Sequence, residues 1–195
     1  MNTILRRHAL PAIALVGIAF VAPRAAHAEP KPAPHASNGA KAANKTDLSD
    51  AQLLGIADLA NTGEVGQATY AMSKTQNEAV KQFAQLMIKE HGAARDKGRS
   101  IATELGIAAA PSALSNGVQK DGDDVMSQLE KSSPPNFDRT YMQAQIRLHQ
   151  KVLRMLDDLI PQADAAQIKA LLTDMRGHVE HHLSTARSTL TALPK

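Results

Sequence analysis

From Ser49 to Leu193, apolar residues recur every three or four positions. That is the spacing of one helix face, and it predicts five helices. The first opens after Ser49, an N-cap residue, with Asp50 in its first turn. Its stripe is Leu53, Ala57, Ala60, Glu64, Ala68 and Ala71. This stripe is narrow and Ala-rich, so neighbouring backbones can come close. Gly55, Gly63 and Gly66 weaken the helix without breaking it. The second helix covers about Asn77 to Leu105, closed by Gly106. Its stripe is Val80, Phe83, Ala84, Met87, His91, Ala94, Ile101 and Leu105. A loop with Pro111 spans Ala108 to Asn116, and a shorter helix covers Val118 to Lys131. Ser132-Ser133-Pro134-Pro135-Asn136 stops it. The next helix opens at Pro135 or Asn136 and ends at about Ile160, before Pro161. Its stripe is Met142, Ile146, His149, Leu153 and Leu156. The last helix covers Asp164 to Leu193, with Ile168, Leu171, Leu172, Met175, Val179, His182, Ala186 and Leu190 inward. Four long helices and one short one predict an all-α four-helix bundle with a crossover between its halves.

One ionisable residue interrupts the inward stripe of each long helix: Glu64, His91, His149 and His182. A polar group on a buried face must find a partner. Four of them, one per helix and each near mid-helix, are expected to meet inside the bundle. A carboxylate with three imidazoles suits a zinc, copper or iron ion. A metal-free hydrogen-bonded cluster uses the same residues. His178 lies four residues before His182, on the same face, and is a further ligand candidate. Glu180 and His181 are expected to face solvent. Glu90 points about 100° away from its neighbour His91 and is a weaker ligand candidate. No Glu follows His178, so the zinc-protease pattern H-E-x-x-H is not met. Ile88, Ile146 and Val179 stand three residues before the three histidines. The paired E-x-x-H units of a di-iron oxidase are therefore missing.

Composition supports helices: there is no Trp, with three Phe and two Tyr. Cysteine is absent, which excludes disulfides, Cys-ligated zinc and a lipid anchor on Cys. Met1 to Ala28 carries Arg6 and Arg7, an apolar run from Ala9 to Ala22, and Ala26-His27-Ala28 as a cleavage site. This is the order of a secretory signal peptide, cleaved after Ala28. The run is short for a membrane span, so no stable membrane insertion is expected after cleavage. Arg6-Arg7 resembles a twin-arginine signal only faintly, and an ordinary export signal is the better reading. Residues 29–46 hold Pro30, Pro32 and Pro34 and are expected to be a disordered linker, with His35 solvated. The bundle domain is expected over residues 47–193. The net charge of +3 comes from the leader. Removing its three arginines leaves 19 basic residues against 19 acidic ones, so charge gives no reason to expect nucleic-acid binding. No G-x-S-x-G and no phosphate-cradling glycine loop occurs, and no catalytic residues are assigned.

Several short stretches together resemble a bacterial exported family, domain of unknown function 4142. They are Leu48-Ser-Asp-Ala51, Val80-Lys-Gln-Phe-Ala84, Met87-Ile-Lys-Glu-His91, Phe137-Asp-Arg-Thr-Tyr141 and His182-Leu-Ser-Thr-Ala186. The resemblance implies a ferritin-like bundle and export. It implies no activity. Its recurrent positions fall on Glu64, His91, His149 and His182. Gly66 departs from the pattern, and His178 and His181 lie outside it. Two functions follow as expectations: a periplasmic bundle holding one transition-metal ion in its core, or a non-enzymatic envelope or stress-related interaction module with a metal-free polar cluster. No protein partner can be named from the sequence.

Overall fold

The computed structural model describes residues 47–194. The expected signal peptide and linker, residues 1–46, lie outside the described residues. Helix α1 spans Asp50–Lys74 and starts at a reciprocal cap. Ser49 Oγ accepts from the Gln52 backbone N–H, and Gln52 Oε1 accepts from that of Ser49. Helix α2 spans Glu78–Leu105. Asn77 Oδ1 accepts from the N–H groups of Ala79 and Val80. Gly106 ends α2 at φ 64°, a left-handed conformation that glycine adopts without strain.

Helix α3 spans Ala113–Glu130 and begins five residues earlier than expected. Ser112 and Ser115 form a second reciprocal cap, at 3.0 and 2.8 Å, which starts the helix directly after Pro111. Helix α4 spans Phe137–Leu159, with 3₁₀ turns at Pro134–Asn136 and Ile160–Gln162 on either side. Helix α5 spans Ala166–Ala192. Its start is later than the expected Asp164 because the Asp50 carboxylate accepts from the N–H groups of Asp164 and Ala165, at 3.0 and 2.9 Å. Those donors are held by a helix more than a hundred residues away, and Ala165 stays extended.

Side-chain pairs set the directions of the helices. Asp58–Arg99 and Asn61–His91 make α1 and α2 antiparallel. Asp157–Arg176 and His149–His182 do the same for α4 and α5. Lys97–Asp174 and Glu90–His182 pair α2 with α5. Gln67–Gln145 and Glu64–His149 pair α1 with α4. It follows that α2 and α4 run the same way, so the chain must return between them. Helix α3 makes that return, paired to α4 through Lys151–Asp121 and Arg147–Gln128. This is the expected all-α bundle with a short crossover helix, consistent with a ferritin-like arrangement.

The core has two apolar parts. One holds Phe83, Met87, Leu129, Phe137, Tyr141 and Met142. The other holds Leu53, Ile56, Leu156, Leu159, Ile168 and Leu171. The buried polar residues Asn61, Glu64, His91, Gln145, His149 and His182 fall between them along the helices. No helix among the described residues is long and apolar enough to cross a membrane.

Candidate metal centre

Three of the four core-facing ionisable residues converge. His91 on α2, His149 on α4 and His182 on α5 are all buried, at 7%, 1% and 0% exposure. Their ring centroids are 5.1 to 5.8 Å apart. One ligating nitrogen from each lies within 4.8 Å of the other two. These residues come together because each sits at mid-helix on the inward stripe of its own helix.

The outer nitrogen of each ring faces an acceptor. Asn61 donates its Nδ2 to the Ala57 carbonyl at 2.8 Å, so its Oδ1 is free to accept from His91 Nδ1 at 2.9 Å. His149 Nδ1 donates to the Gln145 carbonyl, one turn back, at 2.9 Å. His182 Nε2 donates to Glu90 Oε2 at 2.7 Å. A neutral imidazole carries one proton. Burial holds the His91 pKa well below its ordinary value, and the neighbouring imidazoles push the same way. Burial lowers His182 to about 4 against the opposing pull of Glu90. These two rings are therefore neutral at neutral pH. With their protons committed outward, His91 Nε2 and His182 Nδ1 turn lone pairs inward, and His149 Nε2, opposite the Nδ1 that donates to Gln145, faces them. His149 Nε2 and His182 Nδ1 are 3.4 Å apart. His91 Nε2 is buried with no hydrogen-bond partner.

Glu64 does not join the three imidazoles at that point. Its Oε1 lies 4.0 Å from His149 Nδ1, on the outer side of that ring. Burial raises its pKa, opposed by His149 and Gln145. His178 is likewise separate from the inner nitrogens. Its Nδ1 donates at 2.7 Å to Glu90 Oε2, the atom that also accepts from His182. Burial pushes the Glu90 carboxyl upward, but those two hydrogen bonds outweigh it and leave the pKa below its ordinary value. Glu180 and His181 face solvent, as expected.

The sequence pattern of the family described as Domain of unknown function (DUF4142) matches residues 34–189. The chain belongs to this family. No curated protein and no solved structure matches it.

In this DUF4142 protein, three buried amides also belong to the polar layer. Gln145 Nε2 donates to Gln67 Oε1 at 2.9 Å across α1 and α4, and Asn61 holds His91. Asn61 lies three residues before Glu64, Gln67 three after it, and Gln145 four before His149. That helical spacing from the ionisable residues is the signal by which they could have been found. Glu90 is the residue the sequence underweighted. Its offset from His91 aims it at the flank of α5, where His178 and His182 stand one turn apart.

Proposed function

We propose that this protein is exported and binds one transition-metal ion through His91 Nε2, His149 Nε2 and His182 Nδ1. The observation that carries this reading is the convergence of three buried imidazoles whose outer nitrogens each donate to an acceptor elsewhere. Lone pairs on the inner nitrogens repel one another unless a cation lies among them. The spacing suits one. In a tetrahedral site with zinc–nitrogen bonds of about 2.0–2.1 Å, the nitrogens lie roughly 3.3 Å apart. His149 and His182 already stand at 3.4 Å, and His91 has only to close on them. Imidazole suits zinc, copper and iron, and a tetrahedral ion would have one position left for water. Asn61, the Gln145 carbonyl and Glu90 would orient the ligands, as outer hydrogen-bond acceptors do for metal-bound histidine. Glu64 would stand behind His149 and balance charge without touching the ion.

Export rests on the leader: charged start, apolar run and Ala26-His27-Ala28. One purification tests both claims. The untagged full-length chain is expressed and recovered from the periplasmic fraction, then subjected to intact-mass and elemental analysis. The expected protein starts at Glu29 and carries close to one metal ion per chain. His149→Ala should lose at least about 90% of that metal. If the parent carries none and zinc, copper and iron all fail to bind on addition, the ion site is refuted. The polar layer would then serve to fix helix register in an interaction module. A chain retaining residues 1–28 would refute cleavage.

A further inference from the structure

Beside the three inner nitrogens lies a second trio: Glu90, His178 and His182. It shares His182 with the first but uses the other side of the ring. Glu90 Oε2 is 2.7 Å from both His178 Nδ1 and His182 Nε2. Side-chain exposure falls steeply across the trio: 57% for His178, 23% for Glu90 and 1% for His182. His178 and Glu90 border a cleft between α2 and α5 that also contains Lys97, Asp174 and Met175. A small cavity, with room for about one water molecule, connects Glu90, His178 and His182 with His91 and Asn61. One imidazole thus separates a half-open trio from a closed one.

We propose that Glu90, His178 and His182 Nε2 form an entry site for a divalent transition-metal ion, which His182 then passes to the inner site through its other nitrogen. The inference rests on the inner-site reading above. A carboxylate and two imidazoles are a ligand set for zinc or cobalt(II). An ion seated there would replace the two protons that now point at Glu90. The three groups would need to part by only roughly 0.5 Å to reach tetrahedral spacing.

A neutral His182 has one lone pair, so it serves one site at a time. With the ion at the entry site, Nε2 gives the lone pair. The ring proton then sits on Nδ1 and points at His149 Nε2. With the ion inside, Nδ1 gives the lone pair and the proton sits on Nε2, donated to Glu90. Inward passage therefore moves one ion in while His182 releases the Nδ1 proton to solvent and takes one up from solvent on Nε2, which again donates to Glu90. His178, exposed at the surface, gives up its Nδ1 proton to solvent when the ion enters and regains one when the ion moves on, so charge and protons balance. Two consequences follow: the chain holds one ion rather than two, and His178 matters for loading more than for holding.

The test uses the mature protein stripped of metal. Zinc calorimetry gives stoichiometry and affinity, and stopped-flow absorbance with cobalt(II) gives the uptake rate. His178→Ala, at an exposed position, is compared with the parent and with His181→Ala, a neighbouring exposed histidine outside both trios. The expected result is one ion per chain in all three proteins, with affinity within about threefold. Uptake should slow by roughly tenfold or more in His178→Ala alone. Unchanged uptake in His178→Ala overturns the entry site and leaves the inner site standing. Equal slowing in His181→Ala overturns it too, since a general surface effect would then suffice. Two ions per parent chain overturn the one-lone-pair argument. A parent that binds no ion removes the inner site, and this proposal with it.

Discussion

Glu64 and His182 respond to pH with opposite sign, and the difference lies in single side chains. Burial raises the Glu64 carboxyl, and His149 and Gln145 only partly offset it. A raised folded pKa means the neutral acid is favoured on folding. That contribution is complete below the unfolded value of about 4.5 and is lost as pH rises through the folded one. Glutamine mimics the neutral acid, so Glu64→Gln should stabilise the metal-stripped protein at pH 7, by about 1 kcal/mol. The gain should vanish near pH 4. His182, lowered to about 4, works the other way. Between pH 4 and 6.5 the unfolded chain binds more protons than the folded one, so stability falls as acid is added. The loss for this one ring is on the order of 3 kcal/mol when complete. Denaturant midpoints of parent and Glu64→Gln in chelator, across pH 4 to 8, check both signs. A Glu64→Gln protein less stable than the parent at pH 7 would mean that the carboxylate is ionised in the fold and that its neighbours outweigh the cost of burial.

At the level of helices, the two outcomes expected for glycines in α1 depend on what lies opposite each. A Cβ on Gly55 would sit 2.2 Å from the Ala110 carbonyl oxygen, and the Ala110 N–H bonds the Ala51 carbonyl at 2.8 Å. The α2–α3 connection is therefore docked directly on the α1 backbone. Gly66 is exposed, and a Cβ there meets nothing within 4 Å. Gly66→Ala should gain up to about 1 kcal/mol from helix propensity. Gly55→Ala should cost about 2 kcal/mol, because a backbone contact has to shift. Thermal melts of the two variants should move in opposite directions, and a stabilising Gly55→Ala would contradict the docked connection. Nothing local in the sequence separates these glycines, which both read as helix-weakening. Legible features were those that act within a turn or two: Ser49 as a cap, the start of α2 near Asn77, Gly106 as a stop, and Pro161 at the end of α4. The start of α3 is also local: the Ser112–Ser115 cap stands directly behind Pro111, whose preference for a loop masks it. The start of α5 could not be read, since its first donors go to Asp50 on another helix. The same divide holds at the site. His91, His149 and His182 stood out as polar groups on apolar stripes. That Glu64 would stand behind a ring and Glu90 beside one depends on how the helices are rotated against each other.

Among the described residues, the polar layer divides the apolar core and joins the two hairpins, α1–α2 and α4–α5. His91 belongs to the first hairpin, and His149 and His182 to the second. An ion held by all three would tie the hairpins together at their middle, where apolar packing is interrupted. Because those nitrogens converge only in the folded chain, such an ion binds the native state and stabilises it by mass action. At free zinc one hundredfold above its dissociation constant, the gain is about 2.7 kcal/mol. For a domain of this size that should raise the melting temperature by roughly 5–11 °C. The relevant quantity is the shift on adding zinc, not the melting temperature itself, because His149→Ala leaves a cavity that lowers the baseline. The parent and His178→Ala should show the full shift at equilibrium, and His149→Ala and His91→Ala should show almost none. A full shift in His149→Ala would place the ion on surface groups such as His178 and Glu90. The hairpins would then be held together by apolar packing and by polar pairs such as Gln67–Gln145 and Lys97–Asp174.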